Sequence, residues 1–434
     1  MERTSTHQGS LSTQLTLLAA IIGLSGVSTV NAAGFQLAEY SATGLGRAYA
    51  GEAAIADNAS AQWRNPALLT ELKGTQVSTG AIYVDPNVDV AGSVTLNGTT
   101  TSVASNDFAH DAVIPNFYFS HQVNDEWALG VAFGTNYGME TDLGRDFGAS
   151  HFGDKASIIS QEGNLNVAYK ITPAFSLGGG LRIVMADGHF GATTPKNNAP
   201  GFPQGTALKY MEGDDIAWGW QVGAFWRINS NSQVGIAYKS AVDLTLEGHA
   251  EGIGFLLLPG QTRAGSMDLT LPATLELAGN HQVSDKLAVH ASINWTDWSA
   301  FDQLEADFSD NTSMVKVENW EDNYRFAVGA TYQVTSKWAL RSGVAYDTSA
   351  VSDKNRAITI PETDRTWLSV GAEYQWDQNL SFDAGFTYIL AKDAPITESR
   401  GYDSDNSAED VGGRFVGETT GSIWLAGIQA NYRF

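Results

Sequence analysis

Apolar and polar residues alternate in the last segment of the chain, GSIWLAGIQANYRF. Every second residue from Trp424 to the end is apolar or aromatic, while the opposite face becomes polar toward Arg433. A period of two residues predicts a β-strand whose two faces meet different surroundings. The same alternation recurs at 368–376 and 380–388. The pattern therefore predicts an antiparallel, all-β protein.

Turn signals divide the chain into pairs of such strands. Six short turns are predicted at 124–125, 172–173, 229–231, 284–285, 335–336 and 377–378. Seven longer connections are predicted near 88–111, 140–157, 191–213, 249–265, 308–313, 351–363 and 394–417. This spacing predicts about 14 strands, and an even strand number with alternating short turns and long loops is typical of bacterial outer-membrane barrels. In such a barrel both termini lie in the periplasm and the long loops lie outside the cell.

The two ends of the chain favour a membrane barrel over a soluble sandwich, which has the same periodicity. Residues 1–32 contain Arg3, an apolar core at 15–27 and a small-residue end at Ala32. This is the layout of a cleaved secretory signal, with an uncleaved amphipathic N-terminus as the alternative. No later stretch has the ~18 consecutive apolar residues of a membrane-spanning helix. A final strand that closes on Phe434 resembles the assembly signal of outer-membrane barrels.

The segment 33–69 follows the signal but lacks the alternation of a membrane strand. Its many small residues, as in GLGRAYAGEAA, can pack compactly. A barrel of about 14 strands lies between small, side-chain-filled barrels and open porins, so its lumen accommodates a plug of about 40 residues. We therefore predict a signal peptide at 1–32, a plug inside the lumen (the hatch) at 33–74, and a transmembrane barrel at 75–434.

Composition narrows the class of function. The net charge of −23 argues against a nucleic-acid partner, which needs a basic face. The chain has no cysteine, and its 8 histidines show no HExxH or paired metal spacing, so we expect neither a metal site nor a cofactor. The 45 glycines, 12 tryptophans, 15 tyrosines and 19 phenylalanines suit a barrel with aromatic girdles. Acidic residues at 403–410 solvate the surface or bridge to lipopolysaccharide through divalent cations.

The segment GFQLAEYSATGLGRAYAGEAAIADNASAQWRNPALL resembles the N-terminal hatch of FadL-type outer-membrane channels for long-chain fatty acids, which have TodX-like hydrocarbon channels as relatives. The likeness continues through GTNYGMETDL, NWTDWSAFDQL and AITIPETDRTWLSVGAEY and covers essentially the whole mature chain. It implies a monomeric channel in the outer membrane of a Gram-negative bacterium, surrounded by lipid and lipopolysaccharide. Ligand would be captured by outer loops, held in a pocket inside the barrel and released sideways into the bilayer, where the third strand kinks inward.

Two predicted outer loops contain an apolar cluster that we interpret as the capture surface, since exposed apolar groups usually mark binding sites. The alternative is that these loops pack on each other. The cluster consists of Phe202, Leu208, Phe255, Leu256, Leu257 and Leu258. The resemblance assigns Lys316 to the fatty-acid head group, and a rim lysine paired with a nearby acid is the alternative. A second basic contact of the family is missing after the fifth strand, where His189 and Lys196 are the candidate substitutes.

The resemblance also assigns gating residues. The segment Asn136-Tyr137-Gly138 ends the predicted third strand, and glycine inside a strand often marks a bend. The alternative is that the strand ends there in a turn. Phe35 and Asn65-Pro66-Ala67 would form the moving part of the hatch. Asp347, on the predicted lumen face of its strand, would be the hydrogen-bond partner of Asn65. The alternative is a purely structural role, in which Asn-Pro only starts a turn.

Other functions remain open at this point. The same type of channel for aromatic or alkane hydrocarbons would need no cationic partner for a head group. A structural or adhesive barrel would keep its plug in place permanently. A lipase-like barrel would need serine and histidine together on its lipid face, and no such pair can be assigned, so we expect a transporter rather than an enzyme.

Overall fold

The first and last strands of the sheet hydrogen-bond to each other, with Gln76 opposite Arg433, and this pairing closes the sheet into a barrel. The structure is a computed structural model that describes residues 34–96, 98–195, 202–309, 313–399 and 412–434. The predicted signal peptide, Lys196 and the acidic residues at 403–410 lie outside the described residues.

Fourteen antiparallel strands form the barrel, which confirms the predicted fold class. Seven of them are interrupted, so that the sheet consists of 21 segments. The strands are β1 (Thr75–Leu96), β2 (Thr99–Ser105 and Ala112–Gln122), β3 (Trp127–Gly134 and Gly138–Asp142), β4 (Lys155–Thr172), β5 (Phe175–Thr193), β6 (Ala207–Arg227), β7 (Ser232–Lys239 and Val242–Glu251), β8 (Thr262–Leu271 and Thr274–Ser284), β9 (Leu287–Thr296 and Gln303–Phe308), β10 (Ser313–Val317 and Asn323–Gln333), β11 (Trp338–Asp347), β12 (Arg365–Gln375), β13 (Leu380–Ala391 and Ala394–Glu398) and β14 (Arg414–Arg433).

Side chains alternate between the lumen and the outer wall, as the period of two predicts. On β14, Leu425 and Gln429 are buried, while Ile428 between them is 72% exposed. Large apolar side chains such as Leu165 and Trp218 are likewise exposed on the outer wall. An apolar outer face is what lipid requires of a membrane barrel.

The segment 34–74 precedes β1 and folds into short helices inside the barrel, as expected of a plug. Its helices are α1 (Ala42–Leu45) and the 3₁₀ helices Glu52–Ala54, Ala59–Trp63 and Pro66–Glu71, and two further 3₁₀ helices, Ile253–Phe255 and Trp298–Ala300, lie outside it. Side-chain oxygens of Ser41, Asn58 and Asn65 accept backbone N–H groups at the starts of three of these helices. Ser and Asn favour such starts because they satisfy N–H groups that the helix leaves free. No helix among the described residues is long and apolar enough to cross a membrane.

Inward-facing glycines let the hatch backbone lie directly on the barrel wall. A Cβ atom on Gly343 would lie 2.1 Å from the carbonyl oxygen of Arg47, and one on Gly371 would lie 2.6 Å from the Cα of Gly46. Glycine inside a strand often marks such a close approach of another backbone. At these two positions the hatch backbone therefore contacts the wall without intervening side chains.

Buried ion pairs also fasten the hatch. The Arg47 guanidinium lies 2.6 Å from a Glu52 carboxylate oxygen within the hatch. Arg64 reaches the barrel wall, where its guanidinium lies 2.6 Å from Glu276 on β8. Because breaking a buried pair leaves an uncompensated charge, each pair resists separation of the hatch from its neighbours.

One loop prediction is wrong. Instead of a long loop near 88–111, β1 continues to Leu96 and forms a hairpin with Thr99–Ser105. Val90 and Val94 are buried there, in an apolar cluster with Phe415. The polar composition of this stretch disguised a strand that also pairs with β14 and whose buried residues pack in this apolar cluster around Phe415, which we call the outer cap.

Candidate functional site

The third strand breaks at residues 135–137. Between the pairs Gly134–Glu162 and Gly138–Ile159, β3 has three residues where β4 has two. An extra residue of this kind is a β-bulge, which bends its strand. The backbone N–H of Ser160 donates to the carbonyl oxygen of Tyr137 (3.0 Å), which holds the bulge against β4. The structure thus places Asn136, Tyr137 and Gly138 at a bend, where the sequence predicts one.

The bend separates β3 from β2. The ladder between these strands runs only from the pair Gln122–Ala128 to the pair Phe117–Phe133. Beyond it, the next bridge joins Ala109 to Thr141. The described residues 111–116 of β2 and 134–139 of β3 therefore face each other without a continuous ladder. We call this gap in the wall the strand-3 portal.

The first described residues of the hatch lie across the bend as a short piece of strand. The Leu37 N–H donates to the carbonyl oxygen of Asn136 (2.7 Å), and the Gly138 N–H donates to that of Phe35 (2.8 Å). Gly34 has a φ of +62°, and a Cβ there would lie 2.5 Å from the Trp298 ring. Only glycine fits that position, because both the conformation and the contact exclude a side chain.

The Phe35 ring fills an aromatic pocket in the lumen. Its centroid lies 4.6 Å from that of Trp298, 5.7 Å from Phe301, 5.9 Å from Trp320 and 6.2 Å from Tyr137. All four neighbours lie in interruptions of strands β3, β9 and β10, where the chain leaves the wall and turns inward. Apolar strand residues, including Ile158, Val184, Val242, Leu244 and Leu271, complete what we call the Phe35 pocket.

Sequence reasoning missed the three aromatic residues from β9 and β10. A signal was present in the short runs NWTDWSAFDQL and VENWEDN, where aromatic residues are mixed with aspartate, glutamate and asparagine inside otherwise alternating strands. Such runs break the period of two and so mark interruptions.

The apolar loop cluster divides into exposed and buried members. Leu256 and Leu258 are 94% and 68% exposed, and Phe202 is also exposed. Leu208 and Leu257 are half-buried. Phe255 is buried, with its ring 5.3 Å from that of Phe308. Phe255 thus packs within the loops, while Leu256, Leu258 and Phe202 are available to a ligand.

Lys316 lies near the outer edge of the Phe35 pocket. Its ammonium is 2.8 Å from a Glu318 carboxylate oxygen and 5.6 Å from the centroid of the Phe190 ring. Lys209, which sequence reasoning missed, lies close enough for electrostatic interaction with Lys316. His189, a candidate for the second basic contact, alternates with Phe190 on β5 and stacks on Tyr210.

Asn65 and Asp347, both described, do not hydrogen-bond to each other, which contradicts the predicted pair. The Asn65 amide donates to the carbonyl oxygens of Ala53 (2.7 Å) and Ala224 on β6 (3.0 Å). Asp347, at the end of β11, accepts from Asn323 (3.0 Å). The period of two placed Asp347 on the lumen face but gave no information about its distance from Asn65.

Asn65, Pro66 and Ala67 start a 3₁₀ helix. Pro66 is its first residue, and the Asn65 side chain accepts the N–H of Ala67 (3.0 Å). A Cβ on Gly178 would lie 2.4 Å from the Ala67 nitrogen, so this turn also lies against a glycine of the wall. These contacts are those of a fastened turn.

Glu39 is a buried carboxyl group two residues beyond Leu37. It is 0% exposed, and burial raises its pKa to about 7. Arg325 and Arg365 oppose this shift electrostatically. Among the described residues, neither arginine forms a salt bridge or side-chain hydrogen bond with Glu39, so the effect of burial on the pKa prevails.

Comparisons with known proteins agree with the fold. A family model described as outer membrane protein transport protein (OMPP1/FadL/TodX) matches residues 23–434. Outer membrane protein P1 of Haemophilus influenzae is 35% identical over 93% of this chain and 96% of its own. The long-chain fatty acid transport protein of Escherichia coli (strain CFT073) is 33% identical over 93% of this chain and 94% of its own. The crystal structure of a Pseudomonas aeruginosa FadL homologue aligns with a TM-score of 0.82 at 25% identity, covering 93% of this chain and 100% of that chain.

Proposed function

Because the chain belongs to the OMPP1/FadL/TodX family of outer membrane transport proteins, we propose that it is a channel for the passive uptake of long-chain fatty acids. The protein is a bacterial outer-membrane β-barrel of a family that transports hydrophobic compounds and does not consist of enzymes. The proposal adds the substrate, the route and the residues that act along it.

The position of Phe35 is the observation that supports this route for the ligand. This side chain fills an apolar pocket, while its carbonyl oxygen bonds to Gly138 at the strand-3 portal. A ligand that enters the pocket must displace Phe35, and displacement of Phe35 frees the edge of the portal. Binding and opening are thereby coupled through one residue, and the hatch at 33–74 acts as the gate.

The chemistry of a fatty acid explains why such a route is useful. Each CH₂ group moved from an apolar site into water costs about 0.8 kcal/mol, so a 16-carbon chain would lose about 12 kcal/mol in an aqueous pore. A path from the exposed Leu256 and Leu258 to the Phe35 pocket, and then sideways into lipid, avoids that cost. The channel acts as a monomer within lipid and lipopolysaccharide.

Lys316 and Lys209 favour a carboxylate over a hydrocarbon as the ligand. Both lie near the outer side of the Phe35 pocket, where an incoming head group would remain while the tail occupies the pocket. The relative from Escherichia coli that is named a long-chain fatty acid transport protein supports the same assignment. A hydrocarbon would gain nothing from these two cations.

Uptake of labelled oleate tests the proposal. The chain is expressed in cells that lack their own fatty-acid channel, and oleate accumulation is compared with that of an empty vector. We expect a clear gain. If folded barrel is present in the outer membrane and oleate uptake does not rise, the channel has another substrate or is a structural barrel.

Replacing Lys316 by alanine tests the head-group contact. Since Lys316 is partly exposed and already paired with Glu318, we expect a loss of about 1 kcal/mol or less, which is at most about fivefold in oleate affinity. The affinity for an alkane of similar length should not change. Equal affinities of the variant and the wild type for both ligands would show that Lys316 does not contact the head group.

A further inference from the structure

A buried polar cluster lines the lumen beside the strand-3 portal. We call it the portal cluster, and none of its members is more than 6% exposed: Asn116, Asn136, Glu162, Asn164, Arg182 and Lys239. The Phe35 pocket adjoins it on the outer side, because Tyr137 follows Asn136 and Val184 lies two residues beyond Arg182 on β5. A ligand that leaves the pocket for the portal passes this cluster.

Two neighbouring side chains donate hydrogen bonds to the carboxylate oxygens of Glu162. The Arg182 guanidinium donates to both carboxylate oxygens, with Nε 2.9 Å from Oε1 and Nη2 2.8 Å from Oε2. The Asn136 amide adds a further bond of 2.5 Å to Oε2. Glu162 and Arg182 therefore form a complete ion pair without Lys239.

Among the described residues, no carboxylate oxygen lies within normal hydrogen-bond distance of the Lys239 ammonium. The ammonium is 3.9 Å from the nearer Glu162 oxygen and 3.4 Å from the Asn136 amide oxygen, and it lies 4.4 Å from the centroid of the Trp63 ring. Hydrogen bonds from nitrogen to oxygen are normally 2.7–3.2 Å long. The cluster contains two basic side chains, Arg182 and Lys239, and one carboxylate that Arg182 already pairs with, so the Lys239 amine has room for a further anionic partner.

Two further asparagine side chains belong to the portal cluster. Among the described residues, neither the nitrogen nor the oxygen of the Asn116 or the Asn164 amide has a hydrogen-bond partner. Asn164 lies directly opposite Arg182 in the ladder of β4 and β5. Asn116 lies one residue beyond the last ladder pair of β2 and β3, at the edge of the portal. Buried amides are almost always hydrogen-bonded, so these two unpartnered amides indicate a binding site for a ligand group.

We propose that the portal cluster binds the carboxylate of the ligand while the ligand crosses from the Phe35 pocket into the portal. Lys239 supplies the charge, and the amide nitrogens of Asn164 and Asn116 supply hydrogen bonds. This site is separate from Lys316, which receives the head group at the outer entrance. The inference rests on the proposed function, since a channel for hydrocarbons would have no use for a buried ammonium at its exit.

Uptake of palmitate and of hexadecan-1-ol by the full chain tests this site, because the two ligands share a chain length and differ in head-group charge. Lys239→Met should lower palmitate uptake about tenfold relative to hexadecanol, the lower end of what a hydrogen bond to a charged group contributes. Lys239→Arg retains the charge and should keep most of the palmitate uptake. The amount of folded barrel is matched by heat-modifiable electrophoretic mobility.

Asn164 provides a second pair of variants. Asn164→Asp places a negative charge where the guest carboxylate would lie and should lower palmitate uptake more than Asn164→Leu does, with hexadecanol uptake equal in both. If Lys239→Met changes the two ligands equally, or neither, the residue only packs on Trp63 and the portal site is refuted. A wild-type chain that takes up no palmitate would instead refute the proposed function.

Discussion

Replacing Phe35 by alanine should release the first residues of the hatch without unfolding the barrel. Phe35 is 2% exposed, and the ring of Trp298 lies 4.6 Å from its own. Removing a buried phenylalanine side chain costs about 3–5 kcal/mol. Beyond this packing, the backbone bonds of Leu37 to Asn136 and of Gly138 to Phe35 join the segment to the portal.

The lower end of this range, about 3 kcal/mol, sets the expected change in the docking equilibrium of the segment. A loss of about 3 kcal/mol shifts the equilibrium between the docked and the released segment about 100-fold. Hydrogen exchange of the Leu37 and Gly138 amides in the detergent-solubilised barrel measures that equilibrium, since both N–H groups are bonded only in the docked state. We expect both amides to exchange about 100-fold faster, with the strand amides unchanged.

Phe415→Ala is the matched control. Phe415 is 0% exposed, but it packs in the outer cap, with its ring 6.5 Å from that of Phe147. Its removal should leave the exchange of Leu37 and Gly138 unchanged. Slow exchange of both amides in Phe35→Ala would refute the conclusion that Phe35 anchors the segment. Ligand affinity provides a second readout, because an emptied pocket should bind oleate more tightly.

Two further variants test the hatch. Burial raises the pKa of Glu39 from 4.5 to about 7, so the folded state holds a proton that the unfolded chain releases between these values, and the resulting stability is lost as the pH rises through 7. Glu39→Gln should therefore melt at a higher temperature than the wild type near pH 8, with the gain vanishing near pH 4, and an equal difference at both pH values would contradict this. Gly343→Ala should displace the hatch and admit vancomycin into cells, because its Cβ would lie 2.1 Å from the Arg47 carbonyl oxygen, whereas Gly179→Ala, whose nearest neighbouring atom is 3.5 Å away, should not.

The barrel could be predicted because its determinants are local. A period of two residues and short turns are properties of neighbouring positions, and together they gave 14 strands. The bend at Gly138 was also visible, since glycine in a strand weakens its regular pairing. The Phe35 pocket was not visible, because Trp298 and Trp320 approach Phe35 only after the whole sheet has closed.

The errors have the same origin. Alternation identified the face of β11 on which Asp347 lies, but not its position along the barrel axis or its distance from Asn65. The Asn65 amide donates a hydrogen bond to β6 instead. The run from Phe255 to Leu258 has no period, so the sequence did not distinguish its buried members from its exposed ones. Phe255 lies in a 3₁₀ turn and packs on Phe308, whereas the next residue, Leu256, has a φ of +61° and is exposed to solvent.

The contacts of the hatch divide it into a releasable end and a fixed body. Residues 34–37 are held by the Phe35 ring, by two backbone bonds and by a hydrogen bond from the Thr296 hydroxyl to the Gln36 side chain, whereas the body is also held by buried ion pairs such as Arg64–Glu276 and by its fit against wall glycines. Breaking one buried pair costs about 3–5 kcal/mol because it leaves a charge without compensation. A ligand in the Phe35 pocket covers the apolar walls that Phe35 covered, so it compensates for release of the end, but it offers nothing to the separated charges. Within the hatch, we therefore expect only the end to move when the gate opens, while the body continues to exclude water.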